Sequence, residues 1–148
     1  MKTLLEHMQA HHGRCDQLYA DGENFLLDEQ IEEGLESIKS FLNEMERHFQ
    51  MEETVLFPTL EEISGMRQGP TPVMRMEHQQ MRNLLARMSK AVSNGDPEEI
   101  LEVGETMMII MQQHNVKKER ILYPMADQHL ASYREELIER MDAVAIPA

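Results

Sequence analysis

The chain has 148 residues, 41% of them hydrophobic and 28% charged, which is the balance of one globular domain able to bury its own core. Acidic residues outnumber basic ones by 27 to 14, for a net charge of −13; such a surface repels phosphate backbones and anionic lipid and argues against nucleic acid and membrane as partners. Aromatics are 5%, Trp is absent and Met reaches 14, a core composition that suits packed helices better than sheets.

In chain order, Leu4, Leu5, Met8, Cys15, Leu18 and Tyr19 recur at helical spacing and predict a first helix from about Thr3 to Leu27. Asp28 is the expected N-cap of a second helix with an apolar stripe of Ile31, Leu35, Ile38, Leu42, Met45 and Phe49, ended or kinked at Pro58 and stopped by Gly65. Residues 64–70 read as a loop. Thr71-Pro72 reads as the cap and first position of a third helix, which stops near Asn94-Gly95. Asp96-Pro97-Glu98-Glu99 opens a fourth helix, ended at Pro124, and a short last helix is expected from Leu130 to Met141.

Four long amphipathic helices with short connections describe an all-α, antiparallel up-down four-helix bundle with a short extra C-terminal helix. We expect one domain over residues 1–148, built from hairpins at about 3–63 and 71–128. Cys15 is the only cysteine, so no intrachain disulfide can form; together with the lack of an apolar leader or a membrane-length apolar stretch, this points to the cytoplasm.

The two halves match at an offset of 66 residues: His12 falls on His78, His48 on His114, Glu53 on Glu119, Leu56 and Pro58 on Leu122 and Pro124, and Phe57 on Tyr123. In each half, 36 residues separate the two histidines. The chain climbs one helix from the first and descends a second helix to the other, so the pair returns to one height. Two such hairpins packed face to face bring four imidazoles to one level of the interior.

A lone histidine on an apolar stripe is ordinarily a hydrogen-bonded core residue. Four in symmetric places, with glutamates following two of them, fit metal ligation better, because unpaired buried polar groups are costly. His48 and Glu52 form an H-x-x-x-E pair on one helix face. Imidazole with carboxylate suits Fe, Mn or Zn.

The segments His11-His12-Gly13-Arg14-Cys15-Asp16, His48-Phe49 through Pro58, Gly69 through His78 and His114 through Pro124 resemble the hemerythrin-like (HHE) cation-binding family from about Met8 to Gln128. The resemblance implies a non-haem di-iron site, oxo- or hydroxo-bridged, with His12, His48, Glu52, His78 and His114 as ligands. It also implies a second carboxylate four or five residues after His114. Position 118 is Lys, a poor ligand while protonated, so Glu119 is the expected donor, although it lies about 140° round an ideal helix from His114 and would need a local bulge. Its repeat mate Glu53 is the alternative.

Oxygen-carrying relatives place a further histidine where this chain has Met74. An open metal position is therefore expected, unless His7 or His11 fills it. An open position invites a small diatomic or peroxide ligand: O2, nitric oxide or peroxide. The alternatives are an iron or redox stress protein akin to iron–sulphur repair, and a metal storage or sensing module without catalysis. Glu77 and Asp16 are candidates to hold the far nitrogens of ligating histidines. Phe49, Phe57 and Tyr123 read as core, with Tyr123 also able to hydrogen-bond a bound oxygen species.

Overall fold

A computed structural model describes residues 2–144; residue 1 and residues 145–148 of the expected domain lie outside the described residues. Helix α1 (Leu4–Leu27) opens on a capping box in which the Thr3 side chain accepts from the Glu6 N–H and the Glu6 carboxylate accepts from the Thr3 N–H. Asp28 does not cap the next helix. Its N–H closes α1 by donating to the carbonyls of Asn24 and Leu26, and Glu29 then reverses the chain in a left-handed conformation (φ 63°). The position before α2 (Ile31–Met51) therefore falls to Gln30, whose side chain makes no cap.

Pro58 does not end the helix. A π-helical turn, Glu52–Leu56, carries the chain from α2 into α3 (Phe57–Ser64). Proline lacks an N–H and crowds the carbonyl four residues back. The wider turn, in which the Phe57 N–H reaches back to the Glu52 carbonyl, accommodates both defects. Gly65 stops α3 at φ 74°, a conformation in which a Cβ would be strained.

Helix α4 (Pro70–Ser93) starts two residues earlier than its expected opening at Pro72. Gly69 precedes it, Pro70 takes the first position, and Thr71, expected as the cap, lies inside the helix with its Oγ1 donating to Glu61 Oε2 at 2.6 Å. Helix α5 (Pro97–Lys117) begins at Asp96, whose side chain accepts from the Glu99 N–H at 3.3 Å. It passes through a second π-helical turn, Lys118–Leu122, into α6 (Tyr123–His129), so Pro124, like Pro58, is carried through. A 3₁₀ turn (Ala131–Tyr133) leads to α7 (Arg134–Asp142), which begins later than the expected Leu130. There is no strand among the described residues.

The helices form a bundle in which α1 packs on α2 and α4 on α5. At the first of these contacts a Cβ on Gly22 would come within 2.6 Å of Ile38 Cδ1, and one on Gly34 within 2.6 Å of Leu26 Cδ2, so a side chain at either position would force its neighbour to shift. The far ends are latched across the repeat. Asp127 accepts from the N–H groups of Leu4 (2.8 Å) and Leu5 (3.2 Å) at the start of α1. Its repeat mate Glu61 holds Thr71 and Arg75 near the start of α4.

The interior is split into two apolar layers. One holds Cys15, Tyr19, Ile38, Phe41, Met45, Phe49, Met81, Met88, Val103, Met107 and Met111. The other holds Leu4, Met8, Met51, Leu56, Phe57, Met74, Leu122, Tyr123, Leu137 and Met141. On α1 the boundary falls at His12, on α2 at His48, on α4 at His78 and on α5 at His114. The four histidines thus form a polar plane between two hydrophobic ends. No helix among the described residues is long and apolar enough to cross a membrane.

Candidate metal centre

The structure brings His12, His48, Glu52, His78 and His114 together, each at most 7% exposed. His12 Nε2 lies 3.1 Å from His48 Nε2. Glu52 Oε1 lies 3.1 Å from His78 Nε2 and 3.5 Å from His48 Nε2. Glu52, His78 and His114 present one donor atom each, all within 4.8 Å of one another.

Three of the four rings are held from behind by carboxylates. His12 Nδ1 faces Glu119 Oε1 at 3.4 Å, His78 Nδ1 faces Glu53 Oε2 at 2.7 Å, and His114 Nδ1 faces Glu77 Oε1 at 2.7 Å. With Nδ1–H donating outward, the tautomer leaves the Nε2 lone pair pointing into the ring. Glu119, expected as a ligand, is thus placed on the outer nitrogen of His12, and Glu53 occupies the equivalent place in the other hairpin. Glu77 takes the role anticipated for it, and Lys117 Nζ steadies it at 2.6 Å. Asp16 Oδ1 is buried and hydrogen-bonds to nothing.

The second π-helical turn buries one charged side chain, Lys118, at 1% exposure, along with Leu122. Its Nζ donates to Glu52 Oε1 at 2.9 Å and faces His48 Nε2 at 3.1 Å. Tyr123 completes the ring: its hydroxyl donates to Glu52 Oε2 at 2.6 Å and lies 3.3 Å from His12 Nε2. Sequence reasoning set Lys118 aside as a poor ligand. The signal that marks it is the repeat itself, because an offset of 66 places Lys118 on Glu52.

Burial and the nearby Lys118 ammonium push His12 down to about 2 and His114 down to about 3, so both are neutral near pH 7. His48 is lowered for the same two reasons. Burial would raise Glu52, but Lys118 and the surrounding histidines hold it well below the usual carboxylate range. Burial lowers Lys118, opposed by Glu52. Neutral imidazoles beside a carboxylate are the donor set of a borderline divalent cation.

The residues present fit a metal on one specific observation. Nε2 of His78 and Nε2 of His114 are buried without a hydrogen-bond partner, although Glu52 Oε1 stands 3.1 Å from the first. Buried polar atoms in a folded protein ordinarily have partners. A cation bound by both nitrogens and Glu52 supplies one.

Among the other histidines, His129 is exposed. His7 Nε2 bonds Asp142 Oδ1 at 2.9 Å, and His11 Nε2 lies 4.0 Å from the same oxygen, at the contact between α1 and α7. Met74 lies in the apolar layer beyond the ring. A cavity of about 10 Å³, room for a single water-sized body, adjoins the ring and is lined by Cys15, Met45, Phe49, Met81 and Met111 as well as His12, His48 and His114.

An all-helical bundle whose mid-plane carries four histidines and a buried carboxylate defines a class of metal-binding bundle proteins. Residues 3–126 match the model of the hemerythrin HHE cation-binding domain, and the chain belongs to that family. No curated protein and no solved structure matches the chain significantly.

Proposed function

We propose that this protein is a non-haem iron protein of the hemerythrin type, which binds or reacts with O2, nitric oxide or peroxide at an iron position left open by its own side chains. The observation that carries this reading is the pair of unpartnered, buried Nε2 atoms of His78 and His114 beside Glu52. Three donors leave coordination positions free for a small ligand. Iron bound there would supply electrons and a Lewis-acidic position to such a ligand.

The chain's own groups do the rest. Glu53 and Glu77 fix the ring orientations of His78 and His114 from behind. The apolar layers on either side exclude bulk water. The Tyr123 hydroxyl and Lys118 Nζ are the two proton donors within the ring, both engaged by Glu52. Cytoplasmic residence remains part of this reading, as does a diatomic or peroxide partner. The pair of ions implied by the resemblance requires a complete ligand set at both ends of the ring, and Glu52, His78 and His114 supply one.

The test is iron content and gas binding. Protein reconstituted anaerobically with ferrous iron should retain iron through desalting and develop a new visible absorption on exposure to nitric oxide. His114→Ala should abolish both while the far-ultraviolet circular dichroism stays helical. Native protein that retains no iron defeats the proposal.

A further inference from the structure

We infer that Lys118 occupies the second cation position of the ring, so that this chain holds a single metal ion, bound by His78, His114 and Glu52, in place of a pair. The inference rests on the metal-binding reading above and narrows it.

The two ends of the ring differ. At the end formed by His12 and His48, the chain's own polar groups already crowd the inward-facing nitrogens. His12 Nε2 and His48 Nε2 face each other at 3.1 Å, Lys118 Nζ sits 3.1 Å from His48 Nε2, and the Tyr123 hydroxyl is 3.3 Å from His12 Nε2. At the end formed by His78 and His114, neither Nε2 makes a hydrogen bond, and His78 Nε2 faces the Glu52 carboxylate at 3.1 Å. A metal at the first end would have to displace the ammonium, and Glu119, the carboxylate expected to serve there, is turned to the outer nitrogen of His12.

Charge argues the same way. Lys118 is the repeat mate of Glu52, and both are buried, at 1% and 0% exposure. Where a pair of ions would be balanced by two carboxylates, the repeat here presents one carboxylate and one ammonium. The ammonium makes a compact, hydrogen-bonded contact with Glu52 at 2.9 Å and delivers the positive charge that a second ion would otherwise bring. A buried carboxylate without such a partner is costly.

Two histidines and one carboxylate with open positions is the donor set that suits mononuclear ferrous iron. Donor atoms within 4.8 Å of one another need only small side-chain adjustments to surround one ion at roughly 2.0–2.2 Å. Tyr123 fits this arrangement. By hydrogen-bonding the Glu52 oxygen that does not face His78, it fixes which oxygen is offered to the metal.

The experiment uses full-length protein loaded with ferrous iron, desalted and then oxidised in air. Iron is counted by elemental analysis, and its spin state is read by electron paramagnetic resonance. One iron per chain is expected, with the signal of an isolated high-spin ferric ion accounting for it and lost in His78→Ala. Iron held as an exchange-coupled, resonance-silent pair overturns the inference while leaving the proposed function standing. Retention of no iron overturns both. Lys118→Glu, which restores the carboxylate that the repeat lacks, should take up a second iron and lose the isolated-ion signal. A folded Lys118→Glu protein that still shows one isolated ion also overturns the role of Lys118. Native protein alone decides the stoichiometry if that variant does not fold.

Discussion

Lys118 Nζ donates to Glu52 Oε1 at 2.9 Å, and the two residues stand at equivalent positions of the two hairpins, 66 apart in the chain. An approximate two-fold relation therefore brings opposite charges face to face at the centre of the molecule. In the metal-free protein either partner alone would be an uncompensated buried charge. Lys118→Met and Glu52→Leu should each cost about 3–5 kcal/mol. The double variant should cost clearly less than the two together, with a coupling of roughly 2 kcal/mol. Urea unfolding of the four metal-free proteins measures this, and additive losses would show that the contact is not an energetic unit.

The carboxylates behind the ring act on metal affinity without touching metal. Glu53→Gln and Glu77→Gln each weaken the hold on an outer Nδ1–H, at His78 and His114 respectively. Each should lower metal affinity about 10–100-fold. Competition with a chromogenic chelator reads the change. Glu119→Gln, behind His12, should leave the affinity of the first ion nearly unaltered, because that ring belongs to the end occupied by Lys118.

The latch at Glu61 gives a pH signature away from the ring. Hydrogen bonding from Arg75, then from Thr71, holds Glu61 below its ordinary value of 4.5. A carboxyl lowered on folding stabilises fully above its unfolded pKa, and the contribution fades as pH falls through the lower folded value. Glu61→Gln should therefore lower stability near pH 7 by about 1 kcal/mol, a modest figure because the pair is partly open to solvent. The gap between variant and native should close as the pH drops below 4.5. Thermal melts at both ends of that range measure the difference, and an equal loss at both would exclude the ionised form as its source.

The architecture and the convergence of imidazoles were legible because periodicity and a 36-residue spacing are long-range regularities that local detail does not disturb. The missed details were local. Pro58 and Pro124 look like helix ends to any rule based on a regular α-helix, yet the wide turns before them absorb the proline and let the helices run on. Asp28 and Thr71 have the chemistry of caps, but Glu29 and Gly69 took the backbone conformations that decide where a helix begins. Lys118 was hidden by its type: lysine is almost always at the surface, although its match to Glu52 in the repeat and its place four residues after His114 both mark it as interior. Glu119 was judged by its distance along the chain from His114, whereas the turn aims it at the back of His12 on another helix.

The small cavity beside the ring has four sulphur-bearing chains in its walls, Met45, Met81, Met111 and Cys15. Methionine is unbranched and turns about three bonds, so it yields without moving the backbone that carries it. Rotamer swings of these chains, which are quick and cheap compared with parting two helices, can enlarge the room next to the imidazoles. Reshuffling of thioethers can thus admit a guest of two or three atoms without parting the helices.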